Sequence, residues 1–220
     1  MNDLKKVYKF LAELKLNNDR DWFNEHRKEY DEVRAIFESY VQKVINRIAV
    51  FDPSVMPVEV KECTFRIYRD IRFSANKLPY KTHLGAYINP RGRKSDSFGY
   101  YFHLEPGNSL LGGGSIGLPT KRLNKIREAI YEQVESYIDI VEDESFKKFY
   151  PTVGMDFLKT APKGFPKDFE YVDYLKCREF ICSCPISDDF VFQPDALDQM
   201  GEAFEQAKRY GDFINEALGY

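Results

Sequence analysis

Apolar positions recur at helical spacing from the start of the chain. Leu4, Val7, Leu11 and Leu14, widened into a stripe by Phe10, predict an amphipathic helix over residues 1–15. Asn17-Asn18-Asp19 interrupts the pattern and offers side chains that cap the next helix. A second run puts Trp22, His26, Tyr30, Val33, Phe37, Tyr40, Val44 and Ile48 on one side, which predicts a long helix or two with a break. Asp52-Pro53 and Met56-Pro57 end it, because proline lacks the N–H that the ladder needs. From Cys63 to Ile116 the period changes to two. Phe65 and Ile67, then Leu84, Ala86 and Ile88, then Phe98, Tyr100, Phe102 and Leu104 alternate with other residue types, which predicts three or four strands. Helical spacing returns after Pro119, from Leu123 to Val141; residues 150–166 are punctuated by Pro and Gly. A short helix near 171–176, a strand around 180–184 and a last helix opened by Pro194 complete the pattern. The expectation is one α+β domain over residues 1–220. Its antiparallel or mixed sheet comes from the central segment, packed on N-terminal, middle and C-terminal helices.

Composition adds limits rather than a function. Of 220 residues, 43% are hydrophobic and 30% charged, and 32 Lys plus Arg against 35 Asp plus Glu leave a net charge of -3, which disfavours a wholesale polyanion binder. No run reaches the roughly 18–20 apolar residues of a membrane span, so a cytoplasmic protein with no membrane partner is expected. Free thiols are then expected for its four cysteines. The spacing of Cys177, Cys182 and Cys184, with no histidine nearby, is not that of a zinc site. No cofactor or metal is expected on these motifs.

The charge is unevenly distributed. Between Lys61 and Lys94 nine Lys or Arg stand against two acids, Glu62 and Asp70. Arginine presents a planar fork that matches phosphate or carboxylate, so Arg66, Arg69, Arg72, Lys77 and Lys81, helped by the Ser74 hydroxyl and with Asp70 orienting a guanidinium, form a candidate anion site. Arg72→Ala is expected to weaken such a site. Residues 128–144 carry seven acids and no Lys or Arg, so a structural pairing of the two segments explains the same charges.

Strand parity sorts the central residues. Phe65, Ile67, Leu84, Ala86, Ile88, Phe98, Tyr100, Phe102 and Leu104 face one way; Arg66, Tyr68, His83, Tyr87, Tyr101, His103 and Glu105 face the other. The second set, with Tyr80, reads as a site lining, and His103 with Glu105 as its candidate catalytic acid–base pair. Gly112-Gly113-Gly114, between a strand and a helix, has amides that could meet an anion or marks a tight crossing of chains; it matches neither a P-loop nor a dinucleotide fingerprint.

Several of these residues also carry a likeness: Phe10-Leu11-x-x-Leu14-x-x-Asn17-Asn18-x-Arg20-x-Trp22-Phe23, then Phe65-Arg66-Ile67-x-Arg69-Asp70-x-Arg72-Phe73-Ser74-x-x-Lys77-x-Pro79-Tyr80-Lys81, then Gly99-Tyr100-Tyr101, Gly112-Gly113-Gly114 and Ile126-Arg127. Together they resemble the bacterial, fungal and plant family called domain of unknown function 2461. The resemblance implies a single-domain cytoplasmic protein and brings no activity with it. Three readings stand open: a site for a small molecule bearing phosphate or carboxylate, enzymatic or not; a nucleic-acid or protein-binding module; and a basic segment that is purely structural, paired with the acidic helix.

Overall fold

The computed structural model describes residues 3–220, so the first two residues of the expected N-terminal helix lie outside the described residues. Helix α1 (Asp3–Leu16) buries Leu4, Val7, Phe10, Leu11 and Leu14, the stripe its spacing demands. The second helical run divides. Asp19 caps α2 (Arg20–Glu25) by accepting from the amides of Asp21 and Trp22, and His26 is the joint before α3 (Arg27–Ile48). The single-turn α4 (Val60–Cys63) comes next.

The sheet has five antiparallel strands in the order β1-β2-β3-β5-β4: β1 (Leu84–Ile88), β2 (Gly99–Leu104), β3 (Ser109–Ser115), β4 (Val153–Phe157) and β5 (Cys177–Ile186). The chain is therefore α+β. Strands β2 and β3 form a hairpin whose turn needs the left-handed backbone of Gly107, φ 77°. Between β3 and β5 come α5 (Thr120–Glu132), α6 (Val134–Val141), α7 (Glu144–Lys147), β4 and α8 (Val172–Leu175), and the chain closes with α9 (Ala196–Leu218). The acidic run is thus not one helix: it is broken at Gln133 between α5 and α6, and its last acid, Glu144, opens α7.

Register places Ala86, Phe102, Leu111 and Cys184 in one row, and Ile88, Tyr100, Gly113 and Cys182 in the next row on the same face. That face meets α3 and α9: Phe102 stacks on Phe37 at 5.7 Å, and Tyr100 meets Phe204 edge-on. The opposite face carries Tyr87, Tyr101, His103, Gly112 and Gly114.

Two expectations change here. The segment 64–82 is not a regular strand; only the isolated bridges Thr64–Ala86 and Tyr68–Tyr80 form. Parity breaks within it, so Ile67 is fully buried while Phe65, expected in the core, emerges on the opposite face at 37% exposure. Strand β4, an edge strand with Met155 and Phe157 exposed, lies in the stretch that the Pro and Gly pattern marks as irregular.

Candidate functional site

A cleft of about 460 Å³ lies over the open face of the sheet, among Phe65, Lys81, His83, Tyr87, Arg93, Tyr101, Gly112–Gly114, Ile116, Met155 and Ile181. Glycine shapes its floor. A Cβ on Gly99 would stand 2.6 Å from the Tyr87 ring and one on Gly85 would stand 2.9 Å from the Tyr101 hydroxyl, so both tyrosines lie down across the strands instead of standing up from them. The Tyr87 hydroxyl donates to the carbonyls of Ser97 and Gly114, and burial pushes it up to about 12. Phe65 meets Tyr101 edge-on at 6.4 Å, and on this wall Lys81 Nζ sits 5.2 Å and the Arg93 guanidinium 5.3 Å from the Phe65 ring centre. Burial, then the neighbouring Arg66 and Arg93, lowers the Lys81 ammonium below its ordinary value.

At one end the His83 ring packs tilted against that of His103, ring centres 4.2 Å apart and planes 33° from parallel. The Tyr101 hydroxyl lies 2.9 Å from His103 Nδ1, and His103 Nε2 lies 3.2 Å from Glu105 Oε2. With Nε2 protonated, the imidazole donates to the carboxylate and accepts from the phenol. Thr82 Oγ1 donates to Glu105 Oε1 at 2.5 Å and Asn108 Nδ2 to Oε2 at 2.9 Å. Burial works to raise Glu105, but the bonds from Thr82, Asn108 and His103 outweigh it and hold the carboxyl at about 2. Burial, then the adjacent His103, brings His83 down to about 4.

These positions give stability a pH dependence with a defined sign. Both groups are depressed by folding, so their contribution is complete above the unfolded values and disappears as pH falls. His83 acts between its ordinary 6.5 and about 4, and Glu105 between 4.5 and about 2. In metal-free buffer, His83→Gln is expected to remove the upper window. Wild type should lose about 2 kcal/mol more than the variant between pH 7 and pH 4 in urea unfolding, after discounting for partial exposure.

The structure divides the sequence-derived candidates. Lys81, His83, Tyr87, Tyr101 and Gly112–Gly114 meet at the cleft, and His103 with Glu105 adjoins it through His83. The rest of the proposed anion set does not converge. Arg69 donates to the Leu78 carbonyl and to Ser74, Lys77 to the Ile71 carbonyl, and Arg72 to both oxygens of Asp70, so these charges close their own loop. Arg66 is exposed. Tyr68 and Tyr80 face α2 and α3: Tyr80 stacks on Phe23 at 4.0 Å, and Tyr68 accepts from Arg27. Asn18 clamps Tyr80 at both its amide and its carbonyl. The glycine amides are not free for an anion, because Gly112–Gly114 lie inside β3, paired on both sides by β2 and β5.

The acidic helices are not the basic segment's partner. Among the described residues, Glu142 pairs with Lys147 and Asp143 with Arg209, and no ion pair joins residues 61–94 to 128–144. Sequence reasoning missed Phe65, Arg93, Ile116, Met155 and Ile181 as lining, and Thr82 and Asn108 as supports for Glu105. Only Arg93 left a signal, as one of the charges in the basic excess.

The architecture is that of an α+β protein whose antiparallel sheet buries one face under two long helices and opens the other as an aromatic cleft with two cations on its wall. A model of the family described as "Conserved hypothetical protein (DUF2461)" matches residues 6–213, and the chain belongs to that family. Searches of the curated proteins and of the solved structures returned no match. Among the described residues, no helix is long and apolar enough to cross a membrane.

Proposed function

We propose that the cleft on the open sheet face binds a small organic anion: a carboxylate or phosphate attached to a flat, largely apolar body. The observation that carries this reading is the pair of cations at the Phe65 ring, Lys81 Nζ at 5.2 Å and the Arg93 guanidinium at 5.3 Å from its centre. Their charges stand beside a surface of Tyr101, Ile116, Met155 and Ile181. Cations at one wall orient the acidic end, and rings over a glycine floor accept the plane. His83, His103 and Glu105 at the end of the cleft add groups that hold or pass a proton. A second cleft of about 460 Å³, between α1, α3 and the start of α9, offers one ring, Tyr40, and one cation, Lys43, so it lacks this combination.

The test is a thermal-shift screen of aromatic carboxylates, nucleotides, sugar phosphates and inorganic phosphate at matched ionic strength. At least one organic anion should stabilise wild type. Its affinity should fall roughly 10- to 100-fold for each of Lys81→Ala and Arg93→Ala, the range of one charge-assisted bond, and stay unchanged in Arg72→Ala. No stabilisation by any anion, or an equal loss in Arg72→Ala, overturns the reading. A steep fall of affinity with salt would point instead to a polyphosphate such as nucleic acid.

A further inference from the structure

We infer that His83, His103 and Glu105 form a binding site for one divalent first-row transition-metal ion at the inner end of the cleft. One ligand atom from each residue lies within 4.8 Å of the other two. One edge, His103 Nε2 to Glu105 Oε2, is 3.2 Å. Two ligands held at metal bonds of about 2.0–2.1 Å in a tetrahedron stand about 3.3 Å apart, so this edge already has the length that a shared ion requires. Two imidazoles and one carboxylate make the donor set of sites that keep a coordination position open, for zinc or for non-haem iron(II).

The surroundings support the ligands as a metal site's outer contacts do. Tyr101 holds the second nitrogen of His103, Nδ1; with an ion on Nε2 the ring proton moves to Nδ1 and is donated to the phenol oxygen. Thr82 and Asn108 fix the two oxygens of Glu105. Among the described residues, Glu105 makes no ion pair with Lys or Arg, and the imidazole of His103 lies 3.2 Å from its Oε2. No hydrogen bond among the described residues ties the His83 ring, which packs tilted against His103. The cluster is sheltered: the side chains of His103 and Glu105 keep only 10% and 13% of their surface exposed, yet His83 borders the cleft. An ion there has an approach route past His83 from the cleft.

The inference deepens the cleft reading by setting a dication beside Lys81 and Arg93, where all three would attract one anion. By linkage, metal and anion should then raise each other's affinity by the same factor.

The experiment uses the full chain, stripped with EDTA and dialysed, titrated with Zn2+ by calorimetry and with Co2+ by visible absorption. One ion per chain is expected, with the d–d bands of four- or five-coordinate Co2+. Zn2+ affinity should fall at least about 100-fold in His83→Gln and in Glu105→Gln, and about 10-fold in Tyr101→Phe, which removes an outer contact. Imidazole 15N shifts of wild type provide a readout that does not depend on a variant folding: Zn2+ should move the resonances of His83 and His103 and leave His26 in place. Substoichiometric binding, affinity unchanged in both folded variants, or unmoved His83 and His103 resonances would overturn the metal site. Anion binding measured in EDTA separates the two claims. If it persists without metal binding, only the metal site falls; if metal binds and no anion does, only the anion reading falls.

Discussion

Gly113→Ala should lower stability by about 3 kcal/mol, at the upper end of the usual cost of overpacking a core. Gly113 lies on the sheet face under α9, and a Cβ there would stand 2.2 Å from Phe98 Cζ and 3.1 Å from the Gly99 carbonyl oxygen. The Phe98 ring also packs closely on α9, where a Cβ on Gly211 would lie 2.4 Å from its Cδ1. One buried ring is thus held between two glycines, and they set how closely helix and strand approach. For a chain of this size the melting temperature should fall by roughly 6–12 °C. Phe98→Leu in the Gly113→Ala background should recover part of the loss, because the smaller side chain vacates the contested space. A Gly113→Ala protein that melts with wild type would show that helix and strand do not meet this tightly.

Arg127→Met should cost about 3–4 kcal/mol for a different reason. Arg127, on α5, is 4% exposed and donates Nε to the Leu175 carbonyl at 2.8 Å and Nη2 to the Cys177 carbonyl at 2.9 Å. It thereby ties α5 to the turn between α8 and β5. Methionine fills much of the volume but leaves two buried backbone oxygens without donors, each worth about 1–3 kcal/mol. Those acceptors belong to the backbone, so no side-chain replacement removes them, and the compensation seen when both halves of a buried ion pair become apolar does not operate here. Arg127→Lys, with one compact ammonium, should recover only part. Urea unfolding with an unchanged slope measures the difference, and a neutral Arg127→Met would contradict the stapling role.

These two sites show what the sequence made legible. Helix periods were readable because burial enforces them: Leu4, Val7, Leu11 and Leu14 are each 5% exposed or less. Strand parity from Leu84 to Leu104 was readable for the same reason, and it assigned Tyr87, Tyr101, His103 and Glu105 to the face opposite the core. The triple glycine left two readings open, anion-binding amides or a tight crossing of chains, and the close approach is what it serves: it makes room for Phe98 on one face and for the neighbouring strand β5 on the other. The basic excess divides: Lys81 and Arg93 reach the cleft, while Arg69, Arg72 and Lys77 bond within their own loop. A stretch without regular structure carries no period, so nothing in the sequence indicated that Arg69 and Lys77 would turn back onto their own loop's carbonyls while Lys81 and Arg93 reached Phe65. Met155 and Ile181 enter the cleft from β4 and β5, far along the chain, where only sheet topology reveals proximity.

The central claim is the location of the anion, and methyl NMR tests it most directly. In protein labelled at the Ile δ1 and Met ε methyls, Ile116, Ile181 and Met155 report on the cleft, and Ile71 reports on the basic loop beside Lys77. Titration with the best anion from the screen should shift Ile116, Ile181 and Met155 together and leave Ile71 unmoved. Shifts at Ile71 with the three cleft methyls unchanged would place the anion on the loop and contradict the cleft as the binding site.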